Sequence, residues 1–371
     1  MLYAGTESGL YLSENDGDGW RAFQLNLPLV PITDLALRDG DLIAATQGRG
    51  FWILDDLSPI AHDDGAAFKL YPPRTSHRLN ATADEKPRGA GTNPPPGSLL
   101  YFRLPRAAAA ADELTLSFAT TDGKTIISFT RKPSADELKD AKPVKGQDLR
   151  LLPGAAGLNR FAWDGRYPAP ASFDGMVLWG DISSGPRVAP GRYRATLSFA
   201  GQSQTSEFEI LPDPRSQTSP EQYRAQLQAA LAVSAQLSAV HTRVGRLLEL
   251  EKALTALAPR IKDRATLVGA VAALEKQRAE ATEALYQPRL RSEQDPLNFP
   301  VRLNNKLATL LFYISYGDYP PTDSQLALKE QLFARTATAL AAADAVLGGG
   351  VSGLNAQLAQ AGLSVLDQSM P

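Results

Sequence analysis

Acidic residues spaced two apart form the first candidate site for chemistry in this sequence. Glu14, Asp16 and Asp18, followed by Gly19, match the first, third, fifth and sixth positions of a calcium-binding EF-hand loop. The twelfth position of such a loop requires a bidentate glutamate, and here it is Leu25. Carboxylates also gather at turns because they are solvated there. The spacing therefore predicts a turn and no dedicated metal site.

Three further aspartates are candidates for acid–base chemistry. Asp34, Asp55 and Asp56 lie in or beside strand-like sequence, whereas a glycosidase needs two carboxylates on either side of the scissile bond, about 5–10 Å apart. A single set of strands supplies no opposing wall for such a pair. The three histidines are scattered: His62, His77 and His241. Because no HExxH or Gly-x-Ser-x-Gly pattern is present either, we predict no catalytic residue, no cofactor and no metal.

The acidic stretch lies in a turn, and four of its residues have the types that such a turn needs. Ser13 and Asn15 have short polar side chains that bond back to the turn's own backbone, and Gly17 supplies positive φ. Trp20 is large enough to fold under the turn as a plug. The flanking runs, 9–12 and 21–25, have the pattern of short strands.

This pattern resembles the Asp-box, the hairpin turn that recurs on the blades of sialidase-like and sortilin-like β-propellers. Asn15 stands where the motif usually has Asp, and Gly19 where it has Thr or Ser. Residues 25–56 continue the resemblance, to the closing blade of large bacterial exported proteins of the BNR/Asp-box repeat or "glycosyl hydrolase" type. The resemblance implies a structural role for the Asp-box residues and a partial propeller blade over residues 1–56.

Two later stretches resemble the same family. Residues 159–165 and 190–193 are similar to the immunoglobulin-like module of the flagellar hook-capping protein, which this family carries after its last blade. Trp163 and Tyr193 lie there in alternating strands, so we predict that they are core residues and not a sugar platform. Residues 287–310 resemble the C-terminal signature of the family, with Gln-Asp-Pro-Leu-Asn-Phe-Pro at 294–300.

The hydrophobic period changes along the chain and predicts a multidomain β plus α fold. Short alternating strands recur until about residue 212, and a 3.6-residue period follows. We predict four segments: propeller blade or blades with the Asp-box at 1–56, a linker at 57–97, an immunoglobulin-like β-sandwich at 98–212, and an α-helical bundle at 219–366.

Local signals delimit the helices of the predicted bundle. Ser219 with Gln222, and Thr322 with Gln325, have the spacing of capping boxes at helix starts. The run of three glycines at 348–350 is predicted to end the bundle. The predicted helices cover 219–259, 261–286, 301–316 and 324–347.

The composition bounds partners and location. Lys and Arg number 38 against 40 Asp and Glu, a formal net charge of −2, which gives no electrostatic basis for nucleic-acid binding. No run approaches about 18 apolar residues, so we predict no membrane span. Residues 1–6 have the pattern of a strand and lack the features of a signal peptide. We therefore expect a fragment of a longer parent protein, which the resemblance implies to be exported to the periplasm or the cell exterior.

Two functions are compatible with these features. The first is a non-catalytic structural and interaction region of an exported sortilin-like propeller protein, with the upstream blades as its partner and a peptide or carbohydrate as a candidate ligand. The alternative is a fragment of a sialidase-like glycoside hydrolase whose active site lies in upstream blades. The parent family carries the name of an enzyme, whereas for this chain we expect no activity of its own.

Overall fold

The computed structural model describes residues 1–79, 91, 93–109, 111–131, 151–179 and 184–366. Their fold is mixed β plus α, and they divide into two compact units. The first unit takes the described residues of 1–131, 151–165 and 190–213, and the second those of 166–189 and 214–366. The chain therefore enters the second unit between two strands of the first.

The first 54 residues form two antiparallel sheets of three strands, in the orders β1-β2-β3 and β4-β5-β6. The strands are β1 Leu2–Thr6, β2 Gly9–Ser13, β3 Arg21–Ala22, β4 Ile32–Arg38, β5 Asp41–Thr46 and β6 Gly50–Leu54. Asp39 and Gly40, which join β4 to β5, have φ angles of 52° and 85°. Positive φ at both positions is typical of the type I′ hairpin turn.

One apolar cluster joins these two sheets. Leu10 and Leu12 of β2 and Leu42 and Ala44 of β5 are buried in it, together with Ile32. A Cβ atom on Gly5 of β1 would lie 2.6 Å from Cγ2 of Ile32, so the absence of a side chain lets β1 approach β4 closely. Each sheet thus uses one face for this shared core.

The rest of the first unit contains a five-stranded sheet, β11-β10-β13-β14-β8, and a three-stranded sheet, β12-β9-β7. All pairs are antiparallel except β8 with β14. The elements, after the short helix α1 Ser58–Ala61, are β7 Lys69–Leu70, β8 Ser76–Arg78, β9 Ser98–Leu104, β10 Leu114–Thr120, β11 Thr125–Thr130, β12 Gly157–Trp163, β13 Gly191–Phe199 and β14 Gln202–Pro212.

Trp163, at the end of β12, is the centre of the packing between these sheets. Its indole is fully buried and stacks on Phe118 of β10, with ring centroids 4.2 Å apart at 19°. Tyr193 of β13 and Phe208 of β14 meet it edge-on at 6.0 and 6.1 Å. The prediction that Trp163 and Tyr193 are core residues is confirmed, since both are buried.

The stretch predicted as a linker contributes to these sheets over its described residues. β7 pairs with β9, and β8 pairs with β14. Phe68, Leu70 and Tyr71 are buried there. Burial of these side chains stabilises the short strands. The neighbouring prolines are typical of a linker, so the composition did not predict the two strands.

The second unit contains a bundle of helices. They are α2 Pro220–Ile261, α3 Ala265–Leu285, a 3₁₀ turn Asp295–Leu297, α4 Leu303–Ser315, α5 Asp323–Ala345, a π turn Val346–Gly350 and α6 Val351–Gln360. Both predicted capping boxes are confirmed: Ser219 with Gln222 begins α2, and Thr322 with Gln325 begins α5. The buried stripes of these helices form one continuous core.

The prediction that the glycine run ends the bundle is wrong. α5 passes through the π turn into α6, and Val346, Val351 and Leu354 on either side of the glycines are buried in the core. A Cβ on Gly350 would lie 2.6 Å from Cδ1 of Leu274 in α3. The lack of side chains therefore lets two helices pack closely here instead of stopping one of them.

Residues 166–179, named here the strap, lie against the helices and are held by side chains. The amide of Ala171 donates to Ser238 Oγ at 3.0 Å, and the amide of Trp179 donates to Asn305 Oδ1 at 2.9 Å. Tyr286 Oη accepts from the amide of Val177 at 3.2 Å. Asn305, in the first turn of α4, thus binds the backbone of the strap.

Candidate functional site

The turn between β2 and β3 is closed by the side chains that the sequence singled out. Ser13 Oγ donates to Asn15 Oδ1 at 3.0 Å and accepts from the amide of Gly17 at 2.8 Å. Asn15 Oδ1 also accepts from the amide of Gly19 at 2.9 Å. Gly17 has a φ of 105°, in the left-handed region that favours glycine. Ser13, Asn15 and Gly17 are thus positioned by the hairpin and satisfy its backbone.

Trp20 does not fill the place predicted for it. The side chain is 46% exposed and is absent from the apolar cluster that contains Leu10, Leu12 and Phe23. The turn is closed by its own hydrogen bonds, so a plug beneath it is not required.

Ser13 is expected to contribute measurably to this turn because its hydroxyl is buried and makes two hydrogen bonds. Ser13→Ala leaves the Gly17 amide without its partner, at a cost of about 1–3 kcal/mol. Hydrogen exchange of the Gly17 amide should accelerate. Ser8→Ala, which removes an exposed hydroxyl in the preceding turn, is the matched control. Equal exchange in both variants would show that the Ser13 hydroxyl does not hold the turn.

The carboxylates of the EF-hand-like stretch do not converge. Glu14 pairs with Arg21 at 2.9 Å across the hairpin, and the side chain of Asp16 is almost fully exposed. Among the described residues, no group of three or more His, Asp or Glu side chains has the geometry to hold a metal ion.

The aspartates beyond β4 and β6 serve the backbone. Asp41 Oδ1 accepts from the amide of Asp56 at 2.8 Å and from Arg74 Nη1 at 2.6 Å. Asp56 has a φ of 60° and is buried, and its Oδ1 accepts from the amide of Ser58 at 3.0 Å. Burial, followed by the nearby charge of Asp41, raises the pKa of Asp55. The cluster closes the end of the β5–β6 hairpin.

Asp34 is not part of that cluster. It lies on β4 opposite Ala45, and its Oδ1 accepts from the amide of Leu35 at 2.9 Å. Asp34 and Asp56 thus have separate local roles on the backbone.

His241 is the one histidine of the three that is buried. Its Nδ1 lies 2.6 Å from the carbonyl oxygen of Ala171 in the strap, so Nδ1 carries the proton and donates it. The ring of Phe173 meets the imidazole edge-on at 5.7 Å. Burial lowers the pKa of His241 to about 4, against the opposing effect of the hydrogen bond to Ala171. The imidazole is therefore neutral at pH 7, and its hydrogen bond to Ala171 holds the strap against α2.

A surface cavity of about 570 Å³ lies beside the strap in the second unit. Phe173 and Leu248 supply apolar lining, and Glu249, Glu251 and Lys252 supply charge. Glu249 pairs with Lys252 at 2.7 Å, and Glu251 approaches Arg278 at 3.3 Å. Asp174 adds a third carboxylate to the lining, so the charge of the cavity is mainly acidic.

The β4-β5-β6 sheet has the most distinctive surface of the first unit, because each of its faces carries a group of apolar side chains. Leu42 and Ala44 of β5 point into the core, and the alternation of the strand sends Ile43 to the other face. Phe51 and Ile53 of β6 share that second face, where they are 79% and 58% exposed. We name this second face the outer face; its apolar side chains are Ala36, Ile43, Ala45, Phe51 and Ile53, and Asp34, Arg38 and Asp41 lie on the same side.

One stretch of the described chain passes a simple test for a membrane span. Asp323–Gln360 is 38 residues of helix with a mean hydropathy of 1.3 in its most apolar window, 28% of which is buried. Leu332, Ala343 and Leu358 of this stretch belong to the helical core, and the core helix of a soluble protein passes the same test.

Comparison with known proteins adds no relative to this picture. No protein-family model matches the sequence, and no curated protein is significantly similar to it.

Proposed function

We propose that this chain is a non-catalytic structural and interaction region of an exported sortilin-like propeller protein. Its outer face packs against another β-sheet of the same kind, in the manner of neighbouring propeller blades. The supporting observation is that β4-β5-β6 carries apolar side chains on both faces, while the described residues leave Phe51 and Ile53 of one face exposed. Sheets with two apolar faces are usual where a sheet is packed between two layers.

Three large apolar side chains form one group on the outer face. Phe51 and Ile53 are two positions apart on β6 and therefore lie on the same face. Ile43 of β5 lies directly opposite Ile53. Burial of a large apolar side chain stabilises a structure by about 1.5–3 kcal/mol. Covering Phe51 and Ile53 together would therefore contribute several kcal/mol, enough to favour a stable packed layer.

The Asp-box-like turn and the two-sheet core are consistent with this proposal. Ser13 and Asn15 close a hairpin at the edge of the neighbouring sheet through hydrogen bonds within the turn. These side chains therefore have a structural role in presenting the two sheets. We propose that the sheet it packs against is an upstream blade of the parent protein, as the resemblance to closing propeller blades implies.

The proposal predicts concentration-dependent self-association when the outer face has no upstream blade to cover it. Sedimentation velocity should show species larger than the monomer, and Phe51→Ser combined with Ile53→Ser should return the chain to the monomer. Because both side chains are exposed, the double variant should change the free energy of unfolding by less than about 0.5 kcal/mol per site.

The matched control is Leu158→Ser, which removes an exposed apolar side chain from β12 in the same unit. It should leave the association unchanged. A wild-type chain that stays monomeric at all concentrations, with no binding of a hydrophobic dye, would contradict the proposal.

A further inference from the structure

The cavity beside the strap combines apolar lining with acidic side chains. It has a volume of about 570 Å³, and its lining comes from Phe173 and Asp174 of the strap and from residues of α2. A volume of about 300–1,000 Å³ is usual for a site that holds a small organic molecule. The cavity is therefore large enough for a ligand, and its lining indicates which kind of ligand fits.

One face of α2 forms the floor of the cavity. Gly245, Leu248, Lys252 and Ala256 line it at intervals of three or four residues, which is the spacing of a single helix face. At a rise of 1.5 Å per residue, the stretch of helix from 245 to 256 is roughly 16 Å long. Such a floor suits an extended molecule that has apolar segments.

Phe173 forms an ordered wall near the start of this stretch. A Cβ on Gly245 would lie 3.3 Å from Cβ of Phe173, so the glycine lets the strap approach α2 closely. The ring of Phe173 meets those of Tyr286 and His241 nearly at right angles, with centroids 5.0 and 5.7 Å away. A wall that is already held in place reduces the entropy lost when a ligand binds.

The charge of the lining is negative. Asp174, Glu249 and Glu251 supply three carboxylates, and Lys252 supplies one ammonium group. Asp174 is exposed and makes no hydrogen bond or ion pair with the other described residues. An ammonium group that enters the cavity would therefore pair with Asp174 without displacing any of those residues.

The other two carboxylates can exchange their present partners. Glu249 pairs with Lys252 at 2.7 Å, and both side chains are well exposed, so the pair contributes little to stability. Glu251 approaches Arg278 at 3.3 Å, whereas Arg278 also donates two hydrogen bonds to Glu275, at 2.6 and 2.8 Å. Release of Glu251 therefore leaves the buried guanidinium paired.

We propose that this cavity binds a linear aliphatic polyamine, whose ammonium groups pair with Asp174, Glu249 and Glu251. The methylene segments between the ammonium groups lie against Leu248 and Ala256 and bury apolar surface there. A metal ion suits this lining less well, because no three carboxylates of the described chain have the geometry to hold one. The site lies on other residues than the outer face and does not depend on the proposed function.

Calorimetric titration of the full chain with spermidine at low salt tests the proposal. We expect saturable binding of one molecule per chain, which Asp174→Asn and Glu249→Gln each weaken about two- to fivefold. Lys252→Met keeps an apolar side chain and removes the competing ammonium group, so it should strengthen binding by a similar factor. A purely structural role for these residues would not produce opposite effects on binding.

Glu221 and Arg224 provide the matched control, since they form an ion pair of the same spacing at the start of α2 and do not line the cavity. Glu221→Gln and Arg224→Met should leave spermidine binding unchanged, and circular dichroism should show that all variants are folded. Three outcomes would overturn the proposal. They are no saturable binding, equal weakening by Glu221→Gln and Glu249→Gln, and complete displacement of spermidine by an equal concentration of Mg²⁺.

Discussion

Replacing Trp163 with alanine is expected to lower the free energy of unfolding of the first unit by about 3–5 kcal/mol. The indole is fully buried and contacts Phe118, Tyr193 and Phe208, so truncation removes packing from both sheets at once. Total stabilities are usually about 5–15 kcal/mol, and a loss of this size is a large fraction of them. Hydrogen exchange of the β9 and β12 amides measures it within this unit.

Trp20→Ala provides the comparison, since Trp20 is in the same unit and 46% exposed. Its effect on exchange in β9 and β12 should be small. If the two variants destabilised those strands equally, Trp163 would not be the centre of the packing.

Acidification is expected to destabilise the second unit through His241. Its pKa is about 4 in the fold and near 6.5 in an unfolded chain, so the unfolded state binds more protons between these values. Stability therefore falls as the pH drops below about 6.5, and the loss is complete below about 4. The difference between the two pKa values corresponds to about 3 kcal/mol. Urea unfolding at a series of pH values measures it.

His241→Asn separates this contribution from that of the carboxyl groups. Asparagine places an amide nitrogen near the position of Nδ1, so it can still donate to Ala171 without titrating. The variant should lose the steep part of the pH dependence between about 6.5 and 4. His77→Gln, at an exposed position of the first unit, should retain it. An identical pH profile in wild type and His241→Asn would contradict the assignment.

Local interactions explain which elements could be predicted from the sequence. Ser219 and Thr322 begin helices through bonds to residues three positions away, and Ser13 closes its turn over a similar span. Trp163 and Tyr193 were recognisable as core because strands alternate. Such signals need no knowledge of distant parts of the chain.

Long-range packing explains what could not be predicted. His241 bonds a carbonyl 70 residues away, so nothing near it in the sequence indicates its burial or its low pKa. The glycines before Val351 have the sequence pattern of a helix end, and only the three-dimensional structure shows that Leu274 packs against Gly350. The short strands β7 and β8 were likewise not predicted, because the composition of residues 57–97 is typical of a linker.

Two exposed apolar groups, at residues 51–54 and 312–319, left different signals in the sequence. The apolar run at 51–54 already indicated a strand that is apolar on both faces. The exposure of the aromatic side chains at 312–319 was not predicted, because Phe312 and Tyr313 have the spacing of core residues in an amphipathic helix. A cluster of aromatics at 312–319, at the point where the helix must end before Pro320, was the signal that could have found it.

The strap has a consequence for how this protein can be divided or inherited. The coding sequence of the helical unit is discontinuous, because 166–189 lies between β12 and β13. A recombination or truncation at residue 213 would separate the helices from the strap and leave Ser238, His241 and Asn305 facing solvent without it. A single crossover therefore cannot exchange one unit without the other, and we expect the two units to be inherited or lost together.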